Sequence, residues 1–197
     1  MKEMPIVRWV FAYGSLVFRP DFSFIRREVA CIDGYERRFF QGSADHRGTP
    51  EAPGRVVTLV PNPSARCWGV AFGLAVGAVD VVVSRLDFRE RGGYSRLELP
   101  LLARTGSVIA PSGLVYVANA DNPSWLGDAP FESMARQVRE CSGPSGKNSD
   151  YVLGLARALD EMGVDDPHVF TLADHVDGGW RGKPRAVLTR DHEHAIA

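Results

Sequence analysis

Arg55-Val56-Val57-Thr58-Leu59-Val60-Pro61-Asn62-Pro63-Ser64-Ala65-Arg66-Cys67-Trp68-Gly69-Val70-Ala71-Phe72-Gly73-Leu74 is the stretch that sets the fold class. Its flanks are rich in β-branched and aromatic residues, which suit a pleated, half-buried backbone. Arg55 to Val60 and Arg66 to Leu74 read as two strands, with Pro61-Asn62-Pro63-Ser64 as the turn between them. Upstream, Ile6 to Tyr13 has the same chemistry and stops at Gly14, a strand running into a tight loop. Asp45 to Gly54 is dense in turn residues. Downstream, Val79, Val82, Val83 and Leu86 fall at i, i+3, i+4 and i+7, the spacing of an amphipathic helix. Gly92-Gly93 supplies its stop, and Tyr94 to Ala103 and Gly113 to Ala118 read as further strands.

The second half is helical. Phe131, Met134, Ala135 and Val138 repeat the helical spacing between Pro130 and Gly143. Tyr151, Leu155, Leu159 and Met162 do the same, with Asn148 or Ser149 as N-cap and Gly163 as the stop. A short further helix covers Pro167 to Val176. Strands gathered first and helices later predict an α+β fold. Residues 1–176 read as one domain, and residues 177–197 as a peripheral tail.

The chain has 197 residues, 23 Lys+Arg against 24 Asp+Glu, and 45% hydrophobic residues. Those values fit one globular domain with a self-sufficient core. A net charge of -1 offers no field for phosphate backbones or anionic membranes, so neither nucleic acid nor membrane is an expected partner. No run reaches ~18 apolar residues, and the first residues lack a secretory apolar stretch. Cys31, Cys67 and Cys141 contain no C-x-x-C pair, so neither a disulfide framework nor a zinc knuckle fits. A reduced, cytoplasmic compartment is the expectation. Gly 20 and Pro 13 together make about 17% against an ordinary ~12%, a chain that turns often.

Several segments could carry chemistry. At Tyr13-Gly14-Ser15-Leu16, a strand ending in Gly-Ser can leave successive N–H groups facing one concavity, a nest for a carboxylate or phosphate. An ordinary glycine turn is the competing reading. Neither a nucleophile elbow nor a Walker A loop fits those residues. Glu90 falls at a helix end, where the macrodipole raises a carboxylate pKa, while Arg89 and Arg91 would lower it. The plainer alternative is a solvated Glu between two arginines. Asp45-His46-Arg47 lacks the further ligands of a metal site and reads as a salt-bridged loop. Asp191, His192, Glu193 and His194 look metal-like but lie in the tail. His168 and His175 could share a helix face, and the cysteines read as buried, inert thiols.

Taken in order, the motifs are more specific. They are Val10-Phe11-Ala12-Tyr13-Gly14-Ser15-Leu16, Gly34-Tyr35-Glu36-Arg37-Arg38-Phe39, Asp45-His46-Arg47-Gly48-Thr49-Pro50 and Pro53-Gly54-Arg55-Val56-Val57-Thr58-Leu59. Leu86-Asp87-Phe88-Arg89-Glu90-Arg91-Gly92-Gly93-Tyr94, and Ser142-Gly143-Pro144-Ser145-Gly146-Lys147-Asn148 with Tyr151, complete the set. The sequence resembles the ChaC-like γ-glutamylcyclotransferases, in their glutathione-specific branch, from about Arg8 to Val176. It departs from them at Ala12, where the family usually has Gly, and at Val17-Phe18, which replaces a common Ile-Trp.

The resemblance implies a compact barrel-like mixed sheet with flanking helices. It implies cleavage of glutathione to 5-oxoproline and cysteinylglycine, with no metal or organic cofactor. Tyr13, Gly14, Ser15 and Leu16 would hold the substrate α-carboxylate through backbone amides, Glu90 would be the general acid/base, and Tyr151 would contact substrate. Such a base should be a buried carboxylate; full exposure of Glu90 would count against it. Two alternatives stay open: a cyclotransferase for other γ-glutamyl amides, and a non-catalytic γ-glutamyl-binding module. Oligomeric state and the contacts of the cysteinylglycine half stay open too, with Arg47 a candidate carboxylate partner.

Overall fold

A computed structural model describes residues 6–90 and 92–180. Arg91 and the stretch from Asp191 to His194 lie outside the described residues. Five strands, β1 (Ile6–Ala12), β2 (Arg26–Ser43), β3 (Gly54–Ala75), β4 (Ser95–Leu102) and β5 (Val108–Val117), form a closed barrel in the order β1-β3-β2-β4-β5. Every neighbouring pair is antiparallel except β1 and β5, which run parallel where Val10 meets Leu114 and close the ring. Closure removes the free edges that an open sheet would leave. Helices α1 (Val79–Arg89), α2 (Phe131–Glu140), α3 (Asn148–Glu161) and α4 (Pro167–Asp177) flank it, so the fold is α+β with a barrel-like mixed sheet. Two-residue strands β6 (Ser142–Gly143) and β7 (Gly146–Lys147) pair just before α3.

The structure corrects the reading of residues 55–74. Arg55 to Leu74 belongs to one strand, β3, whose two flanks pair with the same partner, β2. Asp33 faces Arg66 and Tyr35 faces Pro61, so Asn62 to Ala65 are extra residues pushed out of the ladder. The turn chemistry is real: Asn62 Oδ1 accepts from the Ser64 amide at 3.2 Å and its hydroxyl at 3.0 Å. It makes a bulge that bends the strand instead of reversing it. Continuity follows from β2, an 18-residue strand that the sequence reading left unassigned because Gly34 and the charged run Glu36 to Arg38 interrupt its pattern.

The main core fills the barrel around Phe39, Phe72 and Leu101 and continues between α2, α3 and α4 through Met134, Leu155 and Leu172. A smaller cluster of Val10, Leu74, Val82, Leu86, Leu114 and Tyr116 seats α1 on the outside. Of α1's own residues only Val82 and Leu86 are buried, the i and i+4 positions of its apolar stripe. Asn148 is not a cap, as its sequence position suggested. Lys147 holds the cap position without a side-chain bond, and Asn148 is enclosed as the first residue of α3. Its Oδ1 accepts from the Arg55 amide at 2.6 Å and its Nδ2 donates to the Arg55 carbonyl at 2.7 Å. That clip fixes the start of α3 on β3. Asp166 caps α4 by accepting from the Val169 amide at 3.1 Å, Pro167 follows at the first turn, and Gly178 ends the helix in the left-handed conformation. Beyond it, Trp180 stacks on Phe170 at 5.2 Å between ring centroids.

His168 and His175 both lie on α4, in unlike settings. His175 bonds the Thr171 carbonyl and faces Glu132. His168 is buried, accepts from the Phe39 amide at 3.1 Å through Nε2, and packs against the Phe39, Phe40 and Phe131 rings. Burial, helped by Arg38, pulls its pKa down to about 4. The unfolded chain therefore takes up a proton first, and stability present above pH ~6.5 is lost as pH falls toward 4, by about 3 kcal/mol at most. His168→Gln keeps an acceptor without a titrating ring. Denaturant melts from pH 7.5 to 4.5 should show a shallower decline for that variant than for the natural chain; parallel declines would reject the assignment.

Candidate active site

The candidate site forms where β1 ends and α1 ends. After Ala12 the chain leaves the sheet, and Ser15–Val17 make a single 3-10 turn with Gly14 at its N-cap. The turn uses the Val17 amide, which donates to the Gly14 carbonyl at 3.0 Å. Ser15 and Leu16 head the turn, so their amides precede the first bond it can make. Tyr13 itself is committed: its hydroxyl donates to the Tyr116 carbonyl at 2.7 Å, and its carbonyl accepts from Arg37 Nε at 2.8 Å. Its phenol is buried and its pKa is raised well above the usual value, by desolvation first and by Glu90 second.

Gly14 allows a close approach. A Cβ there would meet the Tyr151 hydroxyl at 3.1 Å and Val57 Cγ2 at 3.3 Å. Tyr151 lies one turn into α3 from the Asn148 clip, so the same contact that seats the helix delivers the phenol to Gly14. The Tyr151 hydroxyl accepts from the Val57 amide at 3.3 Å, leaving its own proton uncommitted. Desolvation pushes its pKa up to about 12, so it remains a donor at neutral pH.

Glu90 caps the C-terminus of α1, its amide bonded to the Leu86 carbonyl at 2.8 Å. Its side chain is 19% exposed, with Oε1 3.2 Å from Arg89 Nε. Burial raises the carboxyl pKa, Arg89 opposes that rise, and Asp45 and Asp21 reinforce it. Glu90 is thus a largely buried carboxylate paired with Arg89, and it is not fully exposed. The chain beyond it is held by Asn122, whose Nδ2 donates to the Gly92 carbonyl at 2.9 Å. Gly93, at φ 88°, passes so close to Asn122 that a Cβ would sit 2.5 Å from Nδ2, so this position requires glycine.

The cluster also takes in Tyr94, which nothing in the sequence singles out, Arg47, the candidate carboxylate partner, and Arg89, the neighbour expected to lower the Glu90 pKa. Desolvation raises the Tyr94 phenol well above its usual pKa, and Tyr13, Glu90, Tyr151 and Asp45 all act on it, which places it among them. Arg47 is 5% exposed and makes no ion pair among the described residues; the salt-bridged loop expected there is limited to Asp45 and His46, 3.8 Å apart. Its Nη1 donates to the Lys147 carbonyl at 3.1 Å and its guanidinium lies over the Tyr151 ring at 5.5 Å. Desolvation lowers its pKa. In the sequence, Arg47 is only a candidate because nothing in Asp45-His46-Arg47 says which of the three turns inward.

Among the described residues no group of His, Cys, Asp and Glu is arranged to hold a metal ion, and no helix is long and apolar enough to cross a membrane. All three cysteines are free and buried, and burial pushes the Cys67 thiol up to about 11. A separate cavity of about 410 Å³, beside Pro53, Gln137 and Cys141, contains none of the residues above.

A family model described as ChaC-like protein matches residues 8–178. The chain belongs to the ChaC-like family. It is 42% identical over 181 residues to the zebrafish (Danio rerio) protein named glutathione-specific γ-glutamylcyclotransferase 1, covering 87% of this chain and 92% of that one. It is 40% identical over 175 residues to γ-glutamylcyclotransferase 2-3 of Arabidopsis thaliana, covering 85% and 87%. Among solved structures, the yeast γ-glutamylcyclotransferase specific to glutathione superposes with a TM-score of 0.79 at 27% identity, covering 87% of this chain and 96% of that one.

Tyr151 also offers a test of the packing in this ChaC-like site. Tyr151→Phe removes the acceptor of a buried amide, that of Val57, and should cost about 1–3 kcal/mol of stability. Equal denaturant midpoints for the variant and the natural chain would contradict the hydrogen bond.

Proposed function

We propose that this chain is a γ-glutamylcyclotransferase that cleaves glutathione to 5-oxoproline and cysteinylglycine. The observation that carries this reading is the largely buried Glu90 carboxylate, joined through Arg89 to the amide-headed turn Gly14–Leu16. The amides of Ser15 and Leu16 take the α-carboxylate of the γ-glutamyl group. That grip orients the α-amine toward its own γ-carbonyl through backbone amides, while the neighbouring Arg89 guanidinium is engaged by Ser15, Glu90 and Asp21. Oriented intramolecular attack of this kind can be worth ~7–11 kcal/mol.

The amine must first lose a proton. With ordinary values of ~8 for an α-amine and ~4.3 for Glu, transfer to Glu90 is uphill by about 5 kcal/mol. Burial of Glu90 narrows that gap, because it raises the carboxyl pKa. The amine nitrogen then closes on the carbon of the γ-carbonyl, forming the five-membered ring. As charge grows on the carbonyl oxygen, the Tyr151 hydroxyl proton is a donor for it, beside the Gly14 amide. Glu90 returns a proton to the departing cysteinylglycine nitrogen as the old amide bond breaks, then takes the second proton that the ring nitrogen sheds and passes it to the freed amine. Ring closure consumes no water and no side chain bonds to the substrate. Arg47, buried and lying over the Tyr151 ring, takes the carboxylate at the far end of cysteinylglycine. The setting of the proposal is the reduced cytoplasm, which the three buried free thiols support.

Glu90→Gln keeps size and hydrogen bonding but cannot take the proton. Release of 5-oxoproline from glutathione should fall by at least ~10²-fold with the fold intact; near-normal release would reject the assignment. Arg47→Gln should raise KM for glutathione by roughly 10–100-fold, the worth of a charge-assisted hydrogen bond. It should change little for glutathione esterified at the glycine carboxylate. Equal effects on both substrates would exclude Arg47 from that contact.

A further inference from the structure

Arg89 touches both halves of the proposed site. Its Nη2 donates to Ser15 Oγ at 2.6 Å, its Nε lies 3.2 Å from Glu90 Oε1, and its Nη1 lies 3.4 Å from Asp21 Oδ2. One planar fork therefore spans the turn after β1, the loop before β2 and the end of α1. Ser15 and Glu90 share no hydrogen bond of their own among the described residues. Asp21 is also held by Arg85 at 3.3 Å, and its Oδ1 is enclosed with no hydrogen-bond partner among the described residues. Its charge thus rests on these two guanidiniums.

The seating of α1 explains why such a tie is needed. The helix buries only Val82 and Leu86, and its last turn carries Glu90. On one side that turn is held by Asp87, which accepts from Arg96 and from the Tyr116 hydroxyl. On the side facing the substrate turn, Arg89 makes the connection.

We propose that Arg89 is a positioning residue, whose guanidinium holds the Glu90 carboxylate at a set distance from the Ser15 turn and is itself braced by Asp21. This inference rests on the reading of Glu90 as the proton acceptor. A lysine in its place would keep a charge but could not span three oxygens, because only guanidinium is a preorganised fork. A misplacement of 1 Å in an oriented reaction can cost ~10²-fold. Charge and geometry are separable. The groups acting on or acted on by Glu90 are Arg89 from α1, Asp21 and Asp45 from loops, Tyr13 after β1, Tyr94 after Gly93, and Tyr116 from β5. Arg89 is the cation among these, and it lowers the pKa that burial raises.

The test measures kcat and KM for glutathione from pH 5 to 9, with thermal melts, for Arg89→Lys, Arg89→Gln, Asp21→Asn and Glu90→Gln. Arg89→Lys should leave the acidic limb of kcat/KM near its natural position while plateau kcat drops about tenfold or more. Arg89→Gln should lose as much and also move that limb to higher pH. Asp21→Asn leaves Ser15, Arg89 and Glu90 in place, and should lower plateau kcat with little change in KM. Natural kcat in both Arg89→Lys and Asp21→Asn, with Glu90→Gln inactive, would overturn the role of Arg89 and leave Glu90 standing. A lowered melting temperature in Arg89→Gln with an unmoved limb would likewise overturn it. An active Glu90→Gln would overturn the reading of Glu90, and this inference with it. If Arg89→Gln does not fold, Arg89→Lys and Asp21→Asn decide.

Discussion

Arg37 is a guanidinium whose side chain has no exposure to water, and the arrangement of the site depends on it. Its Nε donates to the Tyr13 carbonyl at 2.8 Å, its Nη1 to Asp166 Oδ2 at 2.5 Å, and its Nη2 to the Trp68 carbonyl. A buried charge costs several kcal/mol unless it is paired and hydrogen-bonded, so these three acceptors and Arg37 need one another. Through them β2 grips the end of β1, the middle of β3 and the N-cap of α4. With the Tyr13 carbonyl and phenol both tied down, the direction in which the chain leaves β1 is set. The next residues are Gly14, Ser15 and Leu16.

A second constraint operates from the other side of the barrel. Asn148 clips both backbone groups of Arg55, and Tyr151 follows three residues later. Two polar contacts, far apart in sequence, therefore bring a turn and a phenol together at Gly14. Glu90 reaches the same place from a third direction, on a helix seated by its own small apolar cluster. The Ser15 hydroxyl accepts from Arg89 and the thiols are buried with raised pKa, so the chemistry that fits this site is positioning and proton transfer, with no side-chain nucleophile.

Much of this was legible in the sequence, for identifiable reasons. The spacing of Val79, Val82, Val83 and Leu86 placed α1 and its end at Glu90, because a helix on a surface needs an apolar stripe. Motif resemblance supplied the roles expected of Tyr13 to Leu16, Glu90 and Tyr151. The strand β2 was not legible, since Glu36, Arg37 and Arg38 break the alternation and only the fold shows that Arg37 turns inward. The same limit left Arg47 only a candidate, because burial of a loop arginine is decided by contacts a hundred residues away, such as that with Lys147. Pro61 to Ser64 misled for a related reason: turn residues specify a local bend, while the partner strand decides whether the chain reverses. Near-zero net charge was informative in what it excluded, and the cations that matter here are individual buried ones.

The central claim is that the substrate's own amine, and not water, breaks the γ-glutamyl bond. Turnover of glutathione in water enriched in oxygen-18, with mass analysis of the products, tests it most directly. Intramolecular attack predicts one 5-oxoproline per cysteinylglycine, with no label in either product. Hydrolysis would instead yield glutamate carrying one labelled oxygen, and that result would contradict the account.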